Sequence, residues 1–413
     1  MADSETSEVL RDIGELWSHG SATSDAALAW RDGRVVWAGT ESELPAELAS
    51  TRSRSACGAL VVPGLVDCHT HLCFGGWRED EFAEKLAGVP YLEIARRGGG
   101  IARTMRQTRE ASTEELVAKA ERDLAAMLAL GVTTVEAKSG YGLSFEHELR
   151  QLEVYSALTA DEGQPTRIVP TLLAAHVVPP EHRDDRGGYL DLIVERLIPE
   201  VAARGLARFC DVFVEETAFS IEEARRVLEA GRRHGLDAKL HADQITDGGG
   251  ALLAAELGAA SADHLERVSE EGIARMAEAG VVAVTLPLAT AYLGQQPPPA
   301  RAMIEAGVTV AVATDYNPGS APSYDLQLAI WLACVRQRMT PSEALLGATL
   351  HAARALRLDS EIGSLEPGRA ADFVLVDAPS VEHWLYHFRP ETVLETWIGG
   401  ELVYGRGAAG GTT

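Results

Sequence analysis

The chain has little of what a secreted, membrane-bound or nucleic-acid-binding protein requires. Its cysteines are odd in number and include no CxxC pair, a usage typical of a reducing compartment: Cys57, Cys68, Cys73, Cys210 and Cys334. No apolar run is long enough to span a bilayer, and residues 1–8 lack the basic and apolar stretches of a signal peptide. With 37 Lys and Arg against 61 Asp and Glu, the net charge of -24 repels phosphate backbones and anionic lipids. We therefore expect a cytoplasmic protein with no nucleic-acid or membrane partner.

Between about residues 60 and 315 the sequence repeats one pattern: a short apolar run, a Gly or polar residue, and a longer helical stretch. The candidate strands number eight, the count that closes a parallel barrel: 60–66, 133–137, 167–173, 209–214, 238–240, 261–262, 281–286 and 308–313. Residue pairs at capping-box spacing precede several Ala- and Leu-rich stretches, namely Ser112 and Glu115, Ser220 and Glu223, and Thr340 and Glu343. The pattern predicts an α/β fold, a (β/α)8 TIM-like barrel.

Both ends of the chain differ from this pattern and consist of short predicted strands and turns. Near the N-terminus, two apolar runs flank the turn Arg31-Asp32-Gly33, and residues 363–377 and 396–403 supply further strands near the C-terminus. We expect the two ends to pair into one small β-sandwich domain of residues 1–59 plus 362–413. Residues 60–361 would then form the barrel domain.

Two histidines, His69 and His71, follow the first predicted strand. Side chains two residues apart on a strand point to the same face, so this spacing lets both rings bind one metal ion. The same spacing also occurs in ordinary polar loops, and the motif alone leaves the choice open. Cys68 lies between them in sequence but on the opposite face, and we assign it to packing.

Side chains capable of metal or acid–base chemistry recur after other predicted strands. His176 follows the third strand, His241 the fifth, His264 the sixth and Asp315 the eighth. The carboxyl ends of barrel strands share one face, where barrel enzymes build their active sites. A set that would bind Zn²⁺ or Fe²⁺ and leave a position for water comprises His69, His71, His241 and Asp315. Asp315 could also accept the water's proton, with His264 placed to bond the water or an oxyanion.

Six segments resemble the amidohydrolase superfamily and, within it, the imidazolonepropionase family: residues 63–78, 136–143, 174–180, 239–244, 261–265 and 313–320. The HxH pair is common to the superfamily, whereas Lys-Ser-Gly-Tyr-Gly at 138–142 and Asp-Tyr-Asn-Pro-Gly at 315–319 resemble the narrower family. The resemblance implies a homodimer with one metal ion per site, Zn²⁺ or Fe²⁺/Fe³⁺. It assigns that metal to His69, His71, His241 and Asp315. It assigns the substrate to Arg78, Tyr141, His176, Gln244, Asn317, Gly319 and Ser320.

The reaction that this resemblance implies is hydrolysis of the cyclic amide of 4-imidazolone-5-propanoate by metal-activated water. The product would be N-formimidoyl-L-glutamate, in L-histidine degradation, and the catalytic residues would be Asp315, His264 and Gln244. A propionate needs a fixed cation, and Arg78 offers a bidentate one, although neighbouring carboxylates at 79–81 could instead pair with it at the surface. Tyr141 lies between two glycines, and we expect its loop to be flexible enough to bring the phenol over a ring.

Some alternatives remain open at this stage. Gln244 can orient substrate or water but cannot accept a proton, which leaves Asp315, assisted by His264, as the general base. Glu215 ends the fourth predicted strand and could contact a second metal ion. A deaminase or a dihydroorotase-like enzyme is a rival function, and a catalytically inactive scaffold that acts in assembly is another. Arg78 together with Tyr141 argues against an uncharged nucleobase as the substrate.

Overall fold

The computed structural model describes residues 8–89, 93 and 96–407. The strands are β1 (Glu8–Ser18), β2 (Ser21–Arg31), β3 (Arg34–Thr40), β4 (Arg52–Ser55), β5 (Leu60–Pro63), β6 (Leu65–Asp67), β7 (Val132–Lys138), β8 (Arg167–Ala175), β9 (Phe209–Val214), β10 (Asp237–Ala242), β11 (Ser261–His264), β12 (Val282–Thr285), β13 (Val310–Val312), β14 (Phe373–Val376), β15 (Val393–Ile398) and β16 (Glu401–Gly405). They form two sheets of eight strands each.

The α-helices are α1 (Ala46–Ala49), α2 (Glu79–Leu86), α3 (Ile101–Glu110), α4 (Thr113–Ala129), α5 (Phe145–Ala160), α6 (Arg186–Leu192), α7 (Ile198–Ala203), α8 (Ile221–Arg233), α9 (Gly250–Leu257), α10 (Glu270–Ala279), α11 (Pro287–Leu293), α12 (Ala300–Glu305), α13 (Leu326–Gln337), α14 (Pro341–Gly347), α15 (Leu350–Ala355) and α16 (Val381–Tyr386). The predicted capping boxes at Ser112, Ser220 and Thr340 are confirmed at the starts of α4, α8 and α14. Among the described helices, none combines the length and apolar character needed to cross a bilayer.

Strands β6 to β13 pair in sequence order, each parallel to the next, and confirm the predicted eight-stranded barrel. The sixth strand, β11, is longer than the two residues expected for it. The first and last strands meet just beyond their carboxyl ends, where Asp315 N–H donates to His69 O at 3.0 Å. There His71 N–H also donates to Tyr316 O at 2.8 Å. Barrel closure therefore occurs at the face that carries the candidate site.

The predicted first barrel strand, residues 60–66, is wrong as a single element. It divides at Gly64 into β5, which pairs with β1 and β14 in the second sheet, and β6, which pairs with β7 in the barrel. Gly64 packs so tightly on Thr133 that a Cβ there would lie 2.3 Å from the Thr133 Oγ1. One apolar run therefore contributes a strand to each of the two sheets, and the residue between β5 and β6 has to be small.

Replacement of Gly64 by alanine is expected to destabilise the protein by about 1–3 kcal/mol, because overpacking displaces Thr133 and the start of β6. Urea unfolding with and without the substitution measures the change. Gly187→Ala is the matched control, since nothing lies within 4 Å of the position of its added Cβ. Equal unfolding midpoints for both variants would contradict the packing argument.

The second sheet is mixed and contains strands from both ends of the chain, in the order β16-β15-β14-β5-β1-β2-β3, with β4 paired to β1. This arrangement confirms the predicted β unit composed of both ends. Its core includes Phe373 stacked on Trp397, with ring centroids 5.3 Å apart, and Trp30 packed against both rings. The exact domain boundaries, 59/60 and 361/362, stay a prediction.

Candidate active site

The residues that follow β6 and β13 form the centre of the candidate site. The hydrogen bonds that close the barrel fix the backbone of His69 and His71 beside that of Asp315. Asp315 and His264 both adopt left-handed backbone conformations, with φ of 58° and 81°, which non-glycine residues seldom do. Such conformations concentrate at functional sites, where the surrounding structure compensates the strain.

Three of the distances between donor atoms match those expected around a single metal ion. Asp315 Oδ1 lies 3.5 Å from His69 Nε2 and 3.4 Å from His71 Nε2, and His71 Nε2 lies 3.5 Å from His241 Nε2. Four ligands at about 2.1 Å around a tetrahedral ion stand about 3.4 Å from one another. His69 Nε2 is buried and has no hydrogen-bond partner among the described residues, as expected of a nitrogen that binds a metal ion. The four residues predicted as metal ligands are thus brought together in a geometry that could hold Zn²⁺ or Fe²⁺.

His264 lies at the same centre. One ring nitrogen from each of His69, His241 and His264 lies within 4.8 Å of the other two. These three residues form a second group that could contribute to metal binding. The His264 ring packs edge-on to His69 and tilted against His241, with centroids 5.7 and 5.3 Å apart. The structure therefore brings His264 next to the candidate ligands His69 and His241.

Two buried carboxylates orient two of these histidines. Asp263 Oδ2 accepts from His69 Nδ1 at 2.7 Å, and Asp211 Oδ2 lies 3.0 Å from His241 Nδ1. The hydrogen bond to Asp263 places the His69 proton on Nδ1 and leaves Nε2 free to face the centre. The Asp211 carboxylate lies on the Nδ1 side of the His241 ring. Sequence reasoning missed both aspartates because charged residues inside strands resemble those of a solvent-exposed face.

Two lysines compensate the charge of these carboxylates beneath the site. Lys138 Nζ donates to Glu136 Oε1 at 2.9 Å and to Asp211 Oδ2 at 2.8 Å, and Lys239 Nζ donates to Glu136 Oε2 at 2.7 Å. All of these groups are fully buried. Burial alone would lower the pKa of Lys138, but Asp211 and Glu136 raise it above its ordinary value, so the lysine stays charged. Glu136 could join His69 and Asp263 as metal ligands by distance, but the lysines already occupy its oxygens.

Tyr141 and His176 lie beside the histidine cluster. The His176 ring stacks on His71 with centroids 5.4 Å apart, and the Tyr141 ring lies 5.7 Å from His71 and 5.5 Å from His176. His176 Nδ1 donates to Gly140 O at 3.0 Å, which leaves Nε2 as an acceptor. Burial, followed by the charge of His71, lowers the pKa of His176 to about 3, so its ring is neutral at physiological pH.

The loop after β13 contains Asn317, Gly319 and Ser320. Asn317 uses both ends of its amide within this loop: Nδ2 donates to Asp315 O at 2.6 Å, and Oδ1 accepts from Gly319 N and Ser320 N. Ser320 Oγ lies 3.4 Å from the second carboxylate oxygen of Asp315. The side chain of Asn317 therefore holds the loop in place, and Ser320 contacts Asp315.

Arg78 reaches this same loop from the other side. Its Nε donates to Pro318 O at 3.2 Å, and the guanidinium lies so close to Gly319 that a Cβ there would be 1.5 Å from Nη2. Its Nε lies only 3.9 Å from Glu81 Oε2, so part of the predicted surface pairing also exists. Arg78 lines a cavity of about 330 Å³ with Trp77 and Tyr292. A half-buried arginine at a cavity wall is suited to bind a carboxylate.

Gln244 lies half-buried just after β10, in a loop that Glu215 holds. The Glu215 carboxylate accepts from Ile245 N at 2.8 Å, from Thr246 N at 2.9 Å and from Thr246 Oγ1 at 3.0 Å. Within the described ranges, no group of potential metal ligands includes Glu215. Its oxygens thus fix the loop that carries Gln244, and the structure gives no support to a second metal at this residue.

Comparisons with known proteins agree with this geometry. A sequence model of the Amidohydrolase family matches residues 60–403. An imidazolonepropionase of Geobacillus thermodenitrificans is 49% identical over 379 residues, covering 91% of this chain and 89% of the relative. One from Symbiobacterium thermophilum is 48% identical over 400 residues, covering 95% and 93%. The chain belongs to the imidazolonepropionase family of amidohydrolases.

Solved structures show how widely the fold of the imidazolonepropionase family is shared. A zinc-bound adenosine deaminase from Xanthomonas campestris superposes with a TM-score of 0.69 at 21% identity, covering 96% of this chain and 92% of that one. A 5-methylcytosine deaminase from Klebsiella pneumoniae superposes with a TM-score of 0.73 at 16% identity, covering 96% and 98%. At these identities the likeness concerns the fold alone.

Proposed function

We propose that this chain hydrolyses 4-imidazolone-5-propanoate to N-formimidoyl-L-glutamate, the reaction implied by the family name, with one bound Zn²⁺ or iron ion. The observation that carries the proposal is that Asp315 Oδ1 lies within 3.5 Å of His69 Nε2 and His71 Nε2, with His241 Nε2 a further 3.5 Å from His71 Nε2. His69, His71, His241 and Asp315 would hold the metal. When bound, the metal would acidify water and polarise the amide carbonyl.

Asp315, His264 and Gln244 would have different roles in catalysis around this centre. Burial would raise the pKa of Asp315, but the adjacent His69 and His71 hold it well below its ordinary value, so the carboxylate is ionised at neutral pH. Asp315 would accept the proton of the attacking water and deliver it to the ring nitrogen as the ring C–N bond breaks. His264 would stabilise the negative charge that develops on the carbonyl oxygen. Gln244 cannot take a proton, and we assign it to orienting water or substrate.

The remaining residues would bind the substrate. Arg78 supplies the cation for the propionate, and the neutral His176 offers Nε2 as an acceptor for a ring N–H group. Tyr141 lies against both His71 and His176, where it would cover the imidazolone ring. Asn317 and Gly319 would act by shaping the loop that presents Ser320 and contacts Arg78.

Removal of the metal tests the proposal most directly. Chelation is expected to abolish the absorbance loss of freshly prepared imidazolone propionate, and added Zn²⁺ or Fe²⁺ should restore it. Circular dichroism before and after chelation controls for loss of the fold, and metal analysis of protein purified without chelator identifies the native ion. Chelator-resistant turnover with no bound transition metal would exclude the metal role. Turnover of hydantoin propionate or guanine instead would exclude the proposed substrate.

We also propose that the protein acts in the cytoplasm as a homodimer. The free thiols of the described residues, including buried Cys68, Cys73 and Cys210, are consistent with a reducing compartment. The dimer rests on the family resemblance, and sedimentation equilibrium at micromolar protein checks it: a mass near 44.2 kDa would indicate a monomer and contradict it.

A further inference from the structure

We propose that Glu148, Gln151 and Arg109 are positioning residues that fix Tyr141 and His176 for substrate binding. This inference rests on the proposed function and extends it to residues that lie behind the candidate active site. The residues 140–143, which we call the tyrosine loop, connect β7 to α5. Glu148 and Gln151 lie in the first two turns of α5 and are fully buried.

These two side chains accept hydrogen bonds from every backbone N–H group of the tyrosine loop. Glu148 accepts from Gly140 N at 3.2 Å and from Leu143 N at 2.7 Å. Gln151 Oε1 accepts from Tyr141 N at 3.2 Å and from Gly142 N at 2.7 Å. These bonds contradict the expectation of a flexible loop. A buried carboxylate and a buried amide oxygen are costly without donors, so the helix and the loop hold each other in one arrangement.

Three carbonyl groups of the tyrosine loop are held as well. Gly140 O accepts from His176 Nδ1, and Arg109 donates from Nε to Gly142 O at 2.7 Å and from Nη2 to Leu143 O at 3.0 Å. Arg109 Nη2 also pairs with Glu181 Oε1 at 2.7 Å, and Glu181 lies in the segment that follows His176. The arginine therefore ties the loop of Tyr141 to the loop of His176.

The glycines of this loop leave little room for other positions. A Cβ on Gly142 would lie 2.5 Å from the backbone nitrogen of Glu148, so the loop backbone rests directly on the start of α5. Gln151 Nε2 in turn donates to Cys73 O at 2.6 Å, on the segment that follows His71. One buried glutamine thus couples the Tyr141 backbone to the segment that carries the metal-binding pair.

Glu148→Gln tests this inference, because it keeps the size of the side chain but places an N–H₂ group against the loop N–H groups. We expect faster amide hydrogen exchange in residues 139–144. We also expect KM for imidazolone propionate to rise about tenfold with kcat little changed, since only binding contacts are lost. Metal content should equal that of the wild type. Glu146→Gln, at an exposed position in the same helical turn, is the matched control and should change neither quantity.

Gln151→Met provides a second variant if Glu148→Gln does not fold, and it should give the same pattern. Faster exchange with an unchanged KM would show that the network is merely structural and overturn the inference, as would unchanged exchange in both variants. A wild-type enzyme that does not turn over imidazolone propionate would instead refute the proposed function. The exchange measurements would still report whether the loop is held as inferred, so the two failures are distinguishable.

Discussion

Replacement of Asp315 by asparagine is expected to lower kcat by about a thousandfold, within the range that general acid–base groups contribute. The change removes the carboxylate that lies 3.4 to 3.5 Å from the His69 and His71 nitrogens and that would move the proton. An amide of the same shape can neither accept the water's proton nor return it to the ring nitrogen. KM should change little, because Arg78 and Tyr141 remain in place. Steady-state kinetics normalised to metal content measure the effect.

The metal content of the Asp315→Asn variant separates its two proposed roles. A protein that retains metal but has lost turnover supports the proton-transfer role, whereas loss of both indicates that metal binding dominates. Asp184→Asn, at an exposed position remote in sequence, is the control for an aspartate-to-asparagine change as such. Wild-type kcat in the metal-loaded Asp315→Asn variant would remove Asp315 from the mechanism.

Removal of the Arg78 side chain is expected to raise KM about 10- to 100-fold, since a hydrogen bond to a charged group contributes about 1.5–3 kcal/mol. The structure adds a second route to the same result. Gly319→Ala should also raise KM, because a Cβ at this position would lie 1.5 Å from Arg78 Nη2 and displace the guanidinium. Initial rates over a range of imidazolone propionate concentrations, with kcat and KM fitted separately, measure both variants.

The double variant provides the sharper comparison. If Gly319 acts through Arg78, then Arg78→Ala combined with Gly319→Ala should be no worse than Arg78→Ala alone. Gly187→Ala introduces the same methyl group into open space and serves as the control. Fully additive effects would mean that Gly319 has a separate role, and an unchanged KM in Arg78→Ala would mean that this arginine does not bind the propionate.

The sequence predicted the candidate site residues that the structure brings together, because the barrel has a regular period. Apolar runs predicted the strands, and the residue after each run predicted a position on the catalytic face, which is how His241, His264 and Asp315 were found. The run at residues 60–66 was misread because its composition is uniform, and only pairing partners distinguish β5 from β6. Local composition cannot report which sheet a strand joins.

The buried carboxylates were missed for a related physical reason. In sequence, Asp211 stands between Cys210 and Val212, and Asp263 stands between Ala262 and His264, so neither position is marked locally as buried. Closure of the barrel turns both side chains inward, where Lys138 and Lys239 compensate the charge. The same holds for Glu148 and Gln151, which resemble ordinary polar residues of a helix until the tyrosine loop packs on them.

By itself, the sequence determined the fold class, the face of the barrel that carries the candidate site and the residue types available there. Only the tertiary structure decided the donor spacing around Asp315, the orientation of His69 and His241 by buried aspartates, and the rigid support of Tyr141. The physical reason is the sequence separation of the residues that interact. Strand and helix patterns depend on neighbouring residues, whereas the 3.4 Å distance between His71 and Asp315 depends on a contact between residues far apart in the chain.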